Sequence, residues 1–318
     1  MGLFSRRKRE DEVVEKVLNP VVLGATGKLP SHADFIRVGE PIREAQTLES
    51  MVREWFVQHQ RVSGEPTTIG VLMTGGEDRS GLVAIVYPSA DSAGRDYPWV
   101  VYGRWALPET YGHPAALFAA ANQAVSQLAE QTLMQLTNQQ SVDLWKPELL
   151  NDAKLTVMQT QRYRREAMNV LHGQTLRGWI EQLTGDASHY GGQFLAMYHA
   201  LLQQARRPSA AYLGMVLPLG DREQADQSLC FWLLLLQNYF SQRRARPDLV
   251  WHFQQKIGRL YVLTKPLTVS HLVAISAPTD SDWLTPEELE WNEADIQPLL
   301  NELDSPLIDA LIAWERML

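Results

Sequence analysis

Three segments between residues 67 and 107 constrain the fold more tightly than any other part of the chain. TTIGVLMT, GLVAIVY and PWVVYGRWAL follow one another, separated by stretches rich in Gly, Asp, Ser and Pro. Each is rich in β-branched and aromatic residues, which suit a pleated, packed surface, and the interruptions are turn formers. The pattern predicts three consecutive strands, the nucleus of a sheet. Upstream, VVLGATGKL reads as another short buried strand ending in a Gly-containing turn.

Helical periodicity surrounds this nucleus. Over residues 42–59, Leu48, Met51, Val52, Trp55 and Phe56 recur at the spacing of one buried helix face, and Ser63 and Gly64 end the pattern. Leu117, Ala121, Val125 and Leu128 repeat that spacing over residues 114–136, with Pro114 suited to a first turn. Residues 140–207 are dominated by Gln, Arg and Leu, with breaks at Gly173, Gly185 and Gly191-Gly192, and predict a helical insertion. A second contribution to the sheet then follows in AYLGMVLPL, DLVWHF and GRLYVLT, with an apolar helix over about 223–240.

From residue 278 onward the chain carries TPEELEWNEADIQPLLNELD and the amphipathic SPLIDALIAWERML; Thr285, Pro286 and Glu288 form a helix-start signature. Strands and helices in this order predict an α/β protein with helices on the sheet faces. The expected division is a charged tail over 1–19, an α/β domain over 20–277 with its helical insertion at about 140–207, and an acidic, amphipathic helical segment over 278–318.

Composition narrows the function. With 45% apolar and 21% charged residues the chain can bury a sizeable core, and a net charge of -8 argues against nucleic acid as a partner. The single cysteine, Cys230, has no partner for an internal disulfide and lies in an apolar run, which fits a reducing cytoplasm. LCFWLLLL is broken by Gln237 and Asn238, well short of the roughly 20 residues that a spanning helix requires.

At the start, the basic residues Arg6 to Arg9 are followed by acidic DEVVEK rather than a signal-peptide core, and Arg6 stands where a myristoylation signal wants Ser or Thr. A solvated basic tail is the plain reading. Contact of Leu3, Phe4 and the basic cluster with an anionic membrane is the alternative.

Two loops gather turn formers, charges and prolines between apolar strands: GATGKLPSHADF at 24–35 and YPSADSAGRDYP at 87–98. In the second, Ser89 and Asp91 suit side-chain bonds to nearby amides, Gly94 suits a positive φ, and Pro88 and Pro98 stiffen the two ends. Asp91 and Arg95 form either an ordinary surface pair or, joined by Asp34 of the first loop, a partly buried network holding the loops together.

Catalytic motifs fare poorly. GATGK has two residues before Gly-Lys where a Walker loop has four, and Leu29 stands where that loop supplies its magnesium-binding hydroxyl. Read as a dinucleotide fingerprint, the segment has Pro30 in place of the last glycine. The eight histidines form no H-x-x-x-H pair and no Cys-His zinc spacing, so neither metal nor cofactor is expected. There is no G-x-S-x-G elbow, and Trp55, Trp99, Trp105, Trp232 and Trp251 fall on apolar faces suited to core packing.

Gly27, Lys28, Leu29, Pro30, Asp34 and Phe35, and then Pro88, Ser89, Asp91, Gly94, Arg95 and Pro98, resemble the two signature segments of the TagF (ImpM) family linked to type VI secretion. In the first segment Ala33 replaces the family's usual glycine; PDLVWHFQQKIGRLYVLTKPL is similar to its later Trp-containing strand pair. The resemblance implies a three-layer α/β/α sandwich without known catalytic activity. It also implies a posttranslational repressor of secretion-system assembly that binds a forkhead-associated scaffold protein. Lys28, Pro30, Asp34, Phe35, Ser89, Asp91, Gly94 and Arg95 are the candidate binding or loop-network residues. Two alternatives are carried: an accessory part of the apparatus docking through Leu307, Leu311, Ile312 and Trp314, and a nucleotide-responsive enzyme using Lys28, Asp34, Asp91 and Arg95.

Overall fold

In the computed structural model the described residues are 21–39, 41–62, 68–74, 80–106, 172–186, 212–221, 247–254, 257–263, 265–276, 282–285 and 300–310, with isolated positions within 122–132, 165–169, 192–200, 225–236 and at 297. The first half gives strand β1 (Val22–Gly27), β2 (Ile36–Val38), helix α1 (Arg43–Val62), β3 (Ile69–Met73), β4 (Ser80–Tyr87) and β5 (Trp99–Ala106). The second gives helix α2 (Leu176–Thr184), β6 (Gly214–Gly220), β7 (Leu249–Gln254), β8 (Ile257–Leu263), helix α3 (Val269–Ser276) and β9 (Trp283–Leu284).

These strands build one sheet in the order β2-β1-β5-β4-β3-β7-β8-β6-β9. Neighbours are antiparallel except β6 and β9, which run parallel, so the protein is α/β with a large mixed sheet. The expected nucleus is the run β3, β4, β5, and the three later strand segments are β6, β7 and β8.

Alternate residues of the central strands feed two separate cores. Val83, Trp99 and Val101 belong to one, together with Leu176, Trp179 and Ile180 of α2 and the helical residues Phe231, Trp232 and Leu233. Leu82, Ala84, Val100 and Tyr102 belong to the other, with Leu48, Val52 and Trp55 of α1 and Leu272 and Ile275 of α3. Because both faces are covered, these strands are apolar almost throughout instead of alternating with polar residues.

Neither β2 nor α3 is legible in the sequence. Three residues, Ile-Arg-Val, are too short to show a period, and VSHLVAIS mixes β-branched and helix-forming residues without a clean stripe. What starts α3 is a local device. Thr268 donates its backbone N–H to His271 Nδ1 at 3.1 Å, and its hydroxyl lies 2.7 Å from the same nitrogen. This resembles a capping box with histidine in the place of glutamate. The ring accepts through Nδ1 only while it is neutral.

The helix expected over 42–59 is α1, and its proposed end at Ser63 and Gly64 lies outside the described residues. Val125, Leu128 and Thr132 are helical within the span expected at 114–136. The cap signature at Thr285 to Glu288 also extends outside the described residues.

Residues 300–310 are fastened to α2. The Arg177 N–H donates to Leu303 O at 2.7 Å, Leu307 N–H donates to Gln174 O at 2.8 Å, and Arg177 Nε meets Asp304 Oδ1 at 2.6 Å. Leu307 and Ile308 are buried in the same core as Trp179.

Two expectations follow. Leu48→Ala removes a fully buried side chain of α1 and should cost about 2–5 kcal/mol in urea unfolding, while Val57→Ala, at an exposed position of the same helix, should stay within about 0.5 kcal/mol. Burial and the nearby Lys265 push the His271 pKa down, so the folded form binds fewer protons than the unfolded one. The stability from its neutral ring is therefore complete above the ordinary histidine value of about 6.5 and falls as pH drops below it. His271→Gln, which keeps an acceptor but does not titrate, should flatten the stability profile between about pH 7 and pH 5; an unchanged slope would contradict the cap.

Candidate functional site

Strand register brings the two sequence-singled loops together. Gly27, at the end of β1, pairs with Trp99, at the start of β5, and Trp99 also pairs with Tyr87, at the end of β4. The loop leaving β1 and the loop joining β4 to β5 therefore emerge from one end of the sheet, side by side. Their approach is close: a Cβ on Gly27, whose φ is +138°, would lie 2.2 Å from the Pro98 carbonyl oxygen. No other residue fits there.

The second loop is folded on Asp91. Its Oδ1 accepts from the backbone N–H groups of Ala93 at 3.0 Å and Arg95 at 2.9 Å, closing a turn in which Gly94 takes φ +75°. Ala90 and Asp96 form an antiparallel bridge, and Tyr97 N–H donates to Ser89 O at 2.9 Å. The first loop turns through His32 N–H to Leu29 O at 3.0 Å and is rooted by Leu29, which is buried in the core.

Asp91 also joins the loops. Its Oδ2 receives Lys28 Nζ at 2.9 Å and Arg95 Nε at 2.7 Å. With two donors on each oxygen, the carboxylate has its acceptor positions filled. The Arg95 guanidinium continues to Ala33 O at 2.7 Å, Ser89 Oγ donates to Lys28 O at 2.8 Å, and Ser92 N–H donates to His32 O at 2.9 Å. Phe35 meets Tyr97 edge-on, with ring centroids 5.3 Å apart.

The electrostatics follow from these contacts. Asp91 is 3% exposed, and burial by itself would raise its pKa. The Arg95 N–H, the Lys28 ammonium, the Arg95 guanidinium and the Ala93 N–H together outweigh burial and hold it far below the usual carboxylate range. A saturated carboxylate that stays ionised through the neutral range suits fixing a structure better than shuttling a proton.

Of the candidate residues, Lys28, Ser89, Asp91, Gly94 and Arg95 meet in this network, and Phe35 joins through Tyr97. Pro30 is exposed beside it. Asp34 corrects the expected wiring: it is exposed and makes no hydrogen bond or ion pair among the described residues. Lys28 is the first loop's charged partner instead, because a buried carboxylate requires cations and a second carboxylate there would repel it. The carbonyls of His32 and Ala33 are essential contacts that side-chain chemistry does not reveal.

The GATG segment lies inside β1, with Gly24 packed under the Tyr102 ring, and Lys28 is committed to Asp91. That geometry differs from a phosphate-cradling loop leading into a helix. Among the described residues there is no group of three or more His, Cys, Asp or Glu that could hold a metal ion.

An α/β protein with a mixed sheet and two ion-paired loops at one sheet end is the class these features define. Residues 24–151 match the family described as TagF N-terminal domain, Type VI secretion system-associated. Residues 24–151 are thus similar to a TagF N-terminal domain, in agreement with the loop motifs. A similar solved structure is PA0076 from Pseudomonas aeruginosa PAO1, 18% identical with a TM-score of 0.33; the match covers 40% of this chain and 60% of that chain. No curated protein matches the chain.

The Asp91 network makes an acid-sensitive prediction. With the folded pKa depressed, its stabilisation is present above the unfolded value of about 3.9 and is lost as pH falls below it. Asp91→Asn keeps the shape but removes the charge between Lys28 and Arg95 and turns an amide donor toward donors. It should lower the melting temperature at pH 7, weaken the acid dependence, and speed amide exchange at Ala93 and Arg95. Exchange at the wild-type rate would refute the keystone role.

Proposed function

We propose that this chain is a non-enzymatic posttranslational repressor of type VI secretion system assembly, which binds a forkhead-associated scaffold protein through the face built by residues 28–35 and 88–98. The reading treats it as a cytoplasmic three-layer α/β/α sandwich with a helical insertion and a helical C-terminal tail, without cofactor. The domain match supports the link to type VI secretion. Among the described residues, no helix is long and apolar enough to cross a membrane.

The observation that carries the binding role is the buried Asp91 carboxylate, bonded to both loops and saturated by four donors. Such a network fixes backbone and side chains at a surface in advance, which reduces the ordering cost of binding a partner. Of the residues in the alternative docking helix, Leu307 is buried in the core beside Ile308, and Leu311, Ile312 and Trp314 lie outside the described residues.

The test uses the purified full chain and the forkhead-associated scaffold of the same secretion system. Arg95→Ala and Asp91→Ala should each weaken scaffold binding about tenfold or more in calorimetry and release secretion in cells. Folded variants that bind and repress like the wild type would count against the proposal.

A further inference from the structure

We infer that Phe35, together with the outer edge of the Arg95 guanidinium, is the anchor of this face, and that the partner offers it an apolar pocket with an acidic group on the rim. The inference rests on the proposed function and names the chemistry of the surface that would be bound. Three observations lead to it.

First, Phe35 is 40% exposed, and it and Val57 are the exposed large hydrophobics among the described residues. An isolated exposed apolar side chain is ordinary. Phe35 differs in being braced: its ring stands at 78° to that of Tyr97, and Tyr97 is tied by its N–H to Ser89 O within the buried network. A ring held in one place loses little freedom when a partner covers it.

Second, the ion-paired trio at the centre of the face is cationic. Lys28 and Arg95 share the single carboxylate of Asp91, leaving the trio with one net positive charge. The Arg95 side chain is 62% exposed. Of the five guanidinium N–H donors, Nε–H serves Asp91 and one Nη2–H serves Ala33 O, so three remain for a partner. A carboxylate on the partner matches that planar edge. Asp34 and Asp96, exposed in the same two loops, limit the match to a localised acidic group and disfavour a broadly anionic surface.

Third, the neighbouring sheet edge is a poor competitor for the docking role. β2 has only three residues and carries Arg37 at its centre, paired with Glu49 at 3.1 Å. A short, charged edge strand discourages strand addition. Aromatic and arginine side chains, by contrast, dominate the energetics of protein interfaces.

The test titrates the same scaffold against the full chain, with thermal unfolding measured in parallel. Phe35→Ala should weaken binding by about 30-fold or more, whereas Phe35→Leu, which keeps an apolar side chain, should recover part of that loss. Val57→Ala should leave binding unchanged. Wild-type affinity should fall as salt rises from about 0.05 M to about 0.5 M, because an exposed ion pair is screened. Folded Phe35→Ala that binds within about twofold of wild type, or an affinity indifferent to salt, overturns the inference alone. No binding by the wild-type chain overturns the proposed function and the inference with it.

Discussion

The site depends on how a carboxylate can be taken out of water. An ionised Asp inside a protein is costly unless its charge is matched and its lone pairs are filled, and Asp91 meets both conditions with two cations and two backbone N–H groups. Those donors come from both loops, so satisfying one side chain fixes two backbones relative to each other. The loops are rigid for the same reason that the charge is tolerated.

Asp248 shows a different solution in the other half of the sheet. It accepts from Thr74 N–H, Thr74 Oγ and Leu267 N–H, tying the end of β3 to the start of β7 and to the segment before α3. Burial pushes its pKa up, and the N–H donors of Leu267 and Thr74 only partly offset that effect. Asp91 gathers cations where two loops reach solvent, while Asp248 gathers neutral donors where strands are stitched together. The contrast gives a physical reason for reading the first, rather than the second, as the place where the protein meets something else.

How much of this was legible follows from what each signal encodes. The strands β3, β4 and β5 were readable because their composition is unambiguous, and α1 because Leu48, Val52, Trp55 and Phe56 fall on one face. β2 and β9, with three and two residues, are too short to carry a pattern, and they exist because a longer neighbour offers an edge. The start of α3 depends on the Thr268–His271 bond, which uses a residue type not normally counted as a cap. At the site, Asp91, Gly94 and Arg95 were legible from turn chemistry, but a charge does not name its partner. The choice of Lys28 over Asp34 is settled by the register of Gly27 against Trp99, which is a property of the whole sheet.

That register also explains why GATGK resembles a phosphate loop without having its geometry. A phosphate loop needs its glycines free, so that their N–H groups can point at an anion at the mouth of a helix. Here Gly24 lies beneath Tyr102 and Gly27 lies against the Pro98 carbonyl, so the small residues serve close packing between strands and loops. The lysine that follows pairs with Asp91 where Gly27 lets the two loops approach closely. Spacing in the sequence is shared by the two arrangements; what separates them is whether the missing side chains leave room for a ligand or for another part of the same chain.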